Sequence, residues 1–307
     1  MSGPQSNGPQ SNEPQSNGPQ GRPSHSQRRV TDTVRSSRLT QFGLGIVLTL
    51  LVVAVFGPLV SPYDPVEQNL AHQLESPSLA HPLGTDQLGR DVLTRLLYGS
   101  RLSLGIAVAV TAVRLVVGTT VGLVAGYAGG WVDEALMRLV DTLLAFPGIV
   151  LALVIAGVLG PSLVNVMLAL AVVGWASYAR LVRSNVLSLR EREFVSVARL
   201  LGRSRTHVIA RHLVPNVVAP VAVLATLDIG GVILGTAGLS FIGLGAQPPT
   251  PEWGTMLASG RTYLQQAWWL VNAPGVCIMV TVLGFNLLGD SLRDMLSPTQ
   301  SARMEQL

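Results

Sequence analysis

The sequence predicts an all-α membrane protein with six transmembrane helices. Hydrophobic residues make up 48% of the chain, charged residues only 12%, and mean hydropathy is +0.44. A soluble domain carries roughly a quarter charged residues. The placement of the apolar residues is more telling than their number. Arg38 and Asp64 bracket 25 residues without formal charge, Asp141 and Arg180 bracket 38, and Arg261 and Asp290 bracket 28. A helix needs about 20 mostly apolar residues to cross the hydrocarbon core, so each run is long enough to span.

Residues 3 to 21 read GPQSN, GPQSN, EPQSN, GPQG, a five-residue repeat that buries almost nothing. With no burial to offset the entropy of ordering, residues 1–38 are expected to be a disordered tail. The first span is expected over 39–60, ending at the proline-rich "GPLVSPYDP", so that 39–100 holds one helix and the segment after it. The second runs from 102 to 127 and closes at "AGYAGG". The charge-free stretch from 142 to 179 is too long for one crossing. Gly160, Pro161 and Ser162 divide it into a helical hairpin, with Pro147 expected to kink the first arm by removing a backbone donor. The fifth span is placed at 217–240 and the sixth at 270–289, with a short tail from 297 to 307. The core is thus expected over 101–296.

Orientation follows from the basic residues, all 21 of which are arginine. With the N-terminus in the cytoplasm, six spans leave sixteen arginines inside and four outside, with Arg114 in the membrane. That satisfies the positive-inside rule and puts both termini in the cytoplasm. The absence of lysine also excludes a phosphate-binding P-loop, whose lysine reaches the β and γ phosphates. If ATP drives this protein, another chain hydrolyses it.

The densest charge lies in "REREFVSVARLLGRSRTHVIARHLVPN", residues 190–216, within an expected cytoplasmic loop at 188–216. Phe194, Val197, Ala198 and Leu201 recur at helical spacing and form one apolar stripe, which Gly202 ends. Val208, Ile209 and Leu213 begin a second apolar face before Pro215. The residues alone fit either a helix lying on the membrane surface or a segment gripped by another protein.

Two charges interrupt the spans, Arg114 in the second and Asp228 in the fifth. Such charges cost on the order of 2.5 to 3.5 kcal/mol at bilayer depth and face a cavity or each other. They read either as lining of a pathway, or as a buried structural pair, or as an arginine snorkelling to a headgroup. Gly118, Gly122 and Gly126 repeat every four residues, as do Gly231 and Gly235, a spacing that lets backbones approach in lipid. Close packing and flexibility both remain open for them. Asp290, Arg293 and Asp294 are spaced for helix-surface ion pairs.

Several stretches resemble the binding-protein-dependent ABC importer permeases of the dipeptide, oligopeptide and nickel group. They are "HPLGTDQLGRDVLTRLLYGSRLSL" (81–104), "LSFIGLGAQPPTPEWG" (239–254) and "FNLLGDSLRDMLSP" (285–298). The loop's helix, glycine and proline thirteen residues on resemble the same family. The likeness covers about residues 40–298 and points to the subunit carrying GTDxxGRD. It implies a type I importer permease fold whose loop docks on an ATPase. Phe194, Val197, Ala198, Arg199, Leu201, Gly202, Ser204 and Arg205 would then form the coupling site. Three positions depart from the family pattern: Ser196 and Thr236 stand where glutamate is usual, and Ser297 where aspartate is common.

The resemblance also implies partners: a second homologous permease subunit, two ATPase subunits or domains, and an extracytoplasmic solute-binding protein. ATP and Mg belong to the ATPases, and this chain is expected to bind no cofactor or metal and no nucleic acid. The outer loops at 61–100 and 245–269 are expected either to dock the solute receptor or merely to cap the bundle. Candidate docking residues are Asp86, Arg90, Asp91, Pro249, Glu252 and Trp253, with Trp253 also suited to an interfacial belt and Asp91 to capping a helix that carries Arg90 and Arg95.

The expected function is therefore ATP-driven import of short peptides by alternating access across a bacterial cytoplasmic membrane. Nickel or another small solute is the alternative cargo, since no residue cluster specifies one and the five histidines lie outside the expected spans. An ion-driven secondary transporter would show an internal repeat and broken helices in both halves, and the halves show no repeat. An intramembrane hydrolase lacks support, with Cys277 the single cysteine, no GxSxG and no paired membrane aspartates.

Overall fold

The computed structural model describes residues 38–192 and 204–296, and among them no strand forms. The helices are α1 (Arg38–Val60), α2 (Val92–Ala128), α3 (Gly130–Ala145), α4 (Gly148–Leu159), α5 (Leu163–Arg190), α6 (Val214–Phe241), α7 (Trp253–Gly260) and α8 (Trp269–Leu296). A single turn at Arg205–Val208 and a π-helical turn at Ile209–Leu213 lead into α6 without a break. Helices α1, α2, α5, α6 with its lead-in, and α8 are long and apolar enough to cross a membrane. Their outer faces carry exposed Leu, Val, Ile and Phe side chains. On a soluble protein so much exposed apolar surface would be a liability; in lipid it faces a matching solvent.

The second span is longer than expected. Helix α2 begins at Val92, ten residues before the expected start, and its 37 residues reach about 55 Å. Asp91 sets that start: its carboxylate accepts from the Thr94 backbone N–H at 2.7 Å, so the cap holds and Arg95 lies on the helix. Arg90 does not; it precedes the cap. The expected boundary between residues 100 and 101 therefore falls inside one continuous helix.

The third span also differs. Pro147 does not kink a continuous helix; it separates α3 from α4, whose axes meet at 90°. Phe146, held extended at φ −97 and ψ 145, shows why: the residue before a proline is driven out of the helical region. The hairpin at Gly160 forms as expected, with Gly160 at φ +87 returning its N–H to Ala156. Its first arm, α4, has only 12 residues, or about 18 Å, too short to cross hydrocarbon of about 30 Å. The sixth candidate span is thus the bent α3–α4 pair.

Helices α2 and α5 make the broadest helix pairing, along the glycine seam. A Cβ at Gly122 would lie 2.6 Å from the Ala179 carbonyl oxygen, and one at Gly126 would lie 2.8 Å from Val186 Cβ. At Gly118 a Cβ would overlap the Trp175 carbonyl and Tyr178. Small residues let these backbones touch, and close packing is what holds helices together in lipid. Gly231 and Gly235 do not act alike: nothing lies within 4 Å of a Cβ placed at Gly231, while at Gly235 Leu170 is 3.2 Å away. Helix α1 seats through Gly43 against Leu287 of α8 and through Gly57 against Leu97 of α2. The main core runs between α2, α5, α6, α7 and α8, around residues such as Val92, Val110, Val166, Val232 and Trp253.

Candidate functional site

A cavity of about 510 Å³ opens between α2, the α3–α4 elbow, α5 and α6. One wall is apolar: Leu143 and Leu144 end α3, Phe146 sits at the elbow, and Ile149 starts α4. The facing wall carries Arg114 from α2, Ser177 and Tyr178 from α5, and Asp228 from near the midpoint of α6. The structure brings the two sequence-flagged charges together here. The Arg114 Nη1 donates to Asp228 Oδ1 at 2.7 Å, while its Nε and Nη2 both donate to the Leu170 carbonyl, at 2.9 and 2.6 Å. Tyr178 OH donates to Asp228 Oδ2 at 3.1 Å. One arginine thus joins three helices at membrane depth, and the net charge of the cluster is zero. Desolvation of each ion is offset by the other and by fixed hydrogen bonds, as a charge pair in a low-dielectric setting requires.

Two members of this network were not flagged from the sequence. Gly174 is the reason the guanidinium fits: a Cβ there would overlap Arg114 Nε, Cζ and Cδ. Tyr178 left a weaker signal, a hydroxyl inside a charge-free span, and a buried tyrosine hydroxyl ordinarily finds a partner.

At the other end of the bundle, α3 is tied to α5 by ion pairs also missed from the sequence. Arg183 holds Asp133 through two parallel hydrogen bonds, at 2.5 and 2.7 Å, and Arg180 reaches Asp141 at 2.6 Å. Arg190 Nη1 donates to the Gly126 carbonyl at 3.1 Å, fixing the end of α5 to α2. By contrast, Asp290, Arg293 and Asp294 form no ion pair with one another.

The expected docking residues are placed differently from the sequence reading. Asp86, Arg90, Asp91, Glu252 and Trp253 are all buried within this chain, and of the six only Pro249 is exposed. The segment "GTDQLGRD" (84–91) is a folded knot. Gly84 and Gly89 both adopt positive φ, at +72 and +70, in places where a Cβ would strike the Glu75 and Asn69 carbonyls. Asp86 Oδ1 accepts from the Leu88 and Arg90 backbone N–H groups, and Oδ2 accepts from Arg90 Nε at 2.7 Å. Arg95 lies 3.5 Å from the same oxygen and donates to the Pro65 carbonyl at 2.6 Å and to Pro249 at 3.4 Å. His81 Nδ1 lies 2.9 Å from Asp91 Oδ1.

Glu252 caps α7, accepting from the Gly254 and Thr255 N–H groups at 2.9 Å each. Trp253 is not on an interfacial belt: it is 1% exposed and donates to the Leu96 carbonyl. These side chains hold the two loops against α2.

Of the expected coupling residues, Phe194, Val197, Ala198, Arg199, Leu201 and Gly202 lie outside the described residues, as does the Arg205 side chain. Ser204 begins the next turn, its Oγ accepting from the His207 N–H at 3.3 Å and its carbonyl from Val208. From there the helix runs into α6, and the Val214 N–H reaches back to the Ile209 carbonyl in a π-helical bond. His212 sits in that turn, at the entry to a span. Among the described residues no three His, Cys, Asp or Glu side chains are grouped to hold a metal ion.

Residues 118–301 match the family of binding-protein-dependent transport system inner membrane components. The chain belongs to that family. Residues 28–78 further match the N-terminal transmembrane domain of oligopeptide transport permease C. The dipeptide transport system permease protein DppC of Alkalihalophilus pseudofirmus is 45% identical to this permease over 88% of this chain and 89% of its own. The di/tripeptide transport system permease protein DppC of Pseudomonas aeruginosa is 44% identical, over 83% and 86%. The nickel transport system permease protein NikC of Escherichia coli is 44% identical, over 84% and 93%. The solved MetNI methionine ABC transporter, in inward-facing conformations, has the same fold, with a TM-score of 0.53 at 18% identity over 65% of this chain and 95% of that one. This inner-membrane permease is a multi-pass protein of the cell membrane and the translocation part of an ABC importer.

Proposed function

We propose that this permease moves short peptides inward, working with a second related permease chain, two ATPase subunits or domains, and a solute-binding protein outside the membrane. The observation that carries the peptide reading is the likeness, at 44 to 45% identity over most of both chains, to permeases of dipeptide and di/tripeptide systems. Nucleotide and Mg sit on the ATPases, in keeping with a chain that has no lysine for a P-loop. The termini and the 188–216 loop face the cytoplasm, an orientation supported by the sixteen-to-four arginine bias.

The coupling segment from Phe194 to Gly202, with Ser204 and Arg205, receives the motion of the ATPases. Because the turn at Arg205 continues through the π-helical turn into α6, displacement of the segment acts directly on the helix that carries Asp228. ATP binding then favours an outward-opening cavity and hydrolysis resets it, an equilibrium between two arrangements of similar free energy. Arg114 and Asp228 line that path as a neutral pair. Nickel, as a chelate, is the second reading, favoured by the 44% identity to a nickel permease. Proteoliposomes holding the whole complex and its solute-binding protein separate the two. Uptake of a labelled dipeptide that depends on ATP supports the proposal; uptake of nickel without the dipeptide overturns it.

A further inference from the structure

The polar wall of the cavity is electrically neutral but not symmetric. Arg114 is the deeper partner, with its side chain 9% exposed, while that of Asp228 is 18% exposed. The guanidinium lies close against Gly174 and donates to the Leu170 carbonyl and to Asp228. A carboxylate offers about four acceptor positions. Two are taken, by Arg114 and by Tyr178 OH, which leaves acceptor capacity on the more exposed member. Ser177 lines the same cavity, is exposed, and makes no hydrogen bond among the described residues. The α3–α4 elbow contributes the apolar side chains of Leu143, Leu144, Phe146 and Ile149 to the lining.

From this arrangement we infer that Asp228 receives the ammonium end of a peptide in the cavity, while the peptide's side chains lie against the apolar residues of the α3–α4 elbow. The inference rests on the peptide reading above. A cation is favoured over an anion because the exposed charge is negative and the balancing charge is sunk behind it. A charge-assisted hydrogen bond of this kind is strong where water is scarce. The paired arginine keeps it from becoming a trap, because the field of the carboxylate is already half satisfied. Cargo that enters must also leave.

Substitution of Asp228 itself would strip Arg114 of its counter-charge, so the test is placed on Ser177, which faces the cavity and holds nothing together. The whole complex is reconstituted with its solute-binding protein, and flux of a lysine-free dipeptide is measured against ATP hydrolysed. Ser177→Lys places an ammonium in the cavity that Asp228 lines, and Ser177→Gln adds similar bulk without charge. The expected result is a loss of about tenfold in flux per ATP for Ser177→Lys and less than about twofold for Ser177→Gln, the scale of one charge-assisted hydrogen bond. ATP hydrolysis stimulated by the solute-binding protein is expected to survive in both. Equal flux in the two variants overturns the inference, as does a joint loss of flux and ATP hydrolysis confined to Ser177→Lys. If both variants fail to assemble, Asp228→Glu, which keeps the charge and the pair, decides: retained flux is expected, and loss of flux in an assembled complex overturns the inference. A complex without substitutions that moves no dipeptide overturns the peptide reading, and this inference with it.

Discussion

Asp228 and Arg114 are bound to each other's fate. Removing either leaves a single charge at membrane depth, a change that costs on the order of 3 to 5 kcal/mol when a buried pair is broken. We therefore expect Asp228→Ala and Arg114→Ala each to lower the yield of assembled complex sharply, and the double substitution to recover part of it. Yield by size-exclusion chromatography in mild detergent checks this, and no recovery in the double variant contradicts the pairing. Gly174→Ala is expected to be nearly as damaging as Arg114→Ala, because the added methyl occupies the guanidinium's place; thermal unfolding in detergent reads it. The pair was legible in the sequence because a charge stands out in a greasy run. Gly174 was not, because a glycine needed for its neighbour's side chain looks like any other. Asp86, Arg90 and Glu252 read as docking candidates because they are charged and loop-borne. In the structure they are buried, Asp86 and Glu252 accept from backbone N–H groups, and Arg90 Nε donates to Asp86.

Helices α2 and α5 depend on three glycines, and there the seam was read correctly from a period of four. Gly122→Leu forces side-chain atoms against a backbone carbonyl that cannot retreat. It is expected to destabilise the pairing by more than the roughly 1 to 3 kcal/mol of ordinary overpacking. Gly231→Leu, open on the cavity side, is expected to assemble normally; comparison of the two melting curves is the check. The third span was misread because periodicity and charge counts are blind to direction. Proline 147 was visible, but whether its helix bends or breaks depends on the chain before it, and Phe146 turns fully extended. Asp133→Asn should matter little for stability, less than about 1 kcal/mol, since the pair with Arg183 is partly solvated.

In the whole molecule, α6 is continuous with the two turns that precede it. The turns at Arg205–Val208 and Ile209–Leu213 lead directly into it, and the Arg114 cluster fastens its middle to α2 and α5. Opposite it, the knot at 84–91 and the cap at Glu252 lock two loops onto α2, so that end is expected to move as one body. Five of the spans, their order and the importer family were legible in the sequence, since long apolar runs and fixed motifs survive any detail of packing. The elbow and the buried knot were not, because a proline does not say whether its helix bends or breaks, and charged loop residues do not show that they bond one another. We propose that partner ATPases drive this permease through its loop. The most direct test of this is recovery of the tagged chain from mild-detergent membranes, with identification of the proteins retained. The account predicts an ATPase and a second permease chain, both present with the native loop and the ATPase lost when residues 194–205 are scrambled. A chain recovered alone, and still transporting in liposomes without ATP, would contradict it.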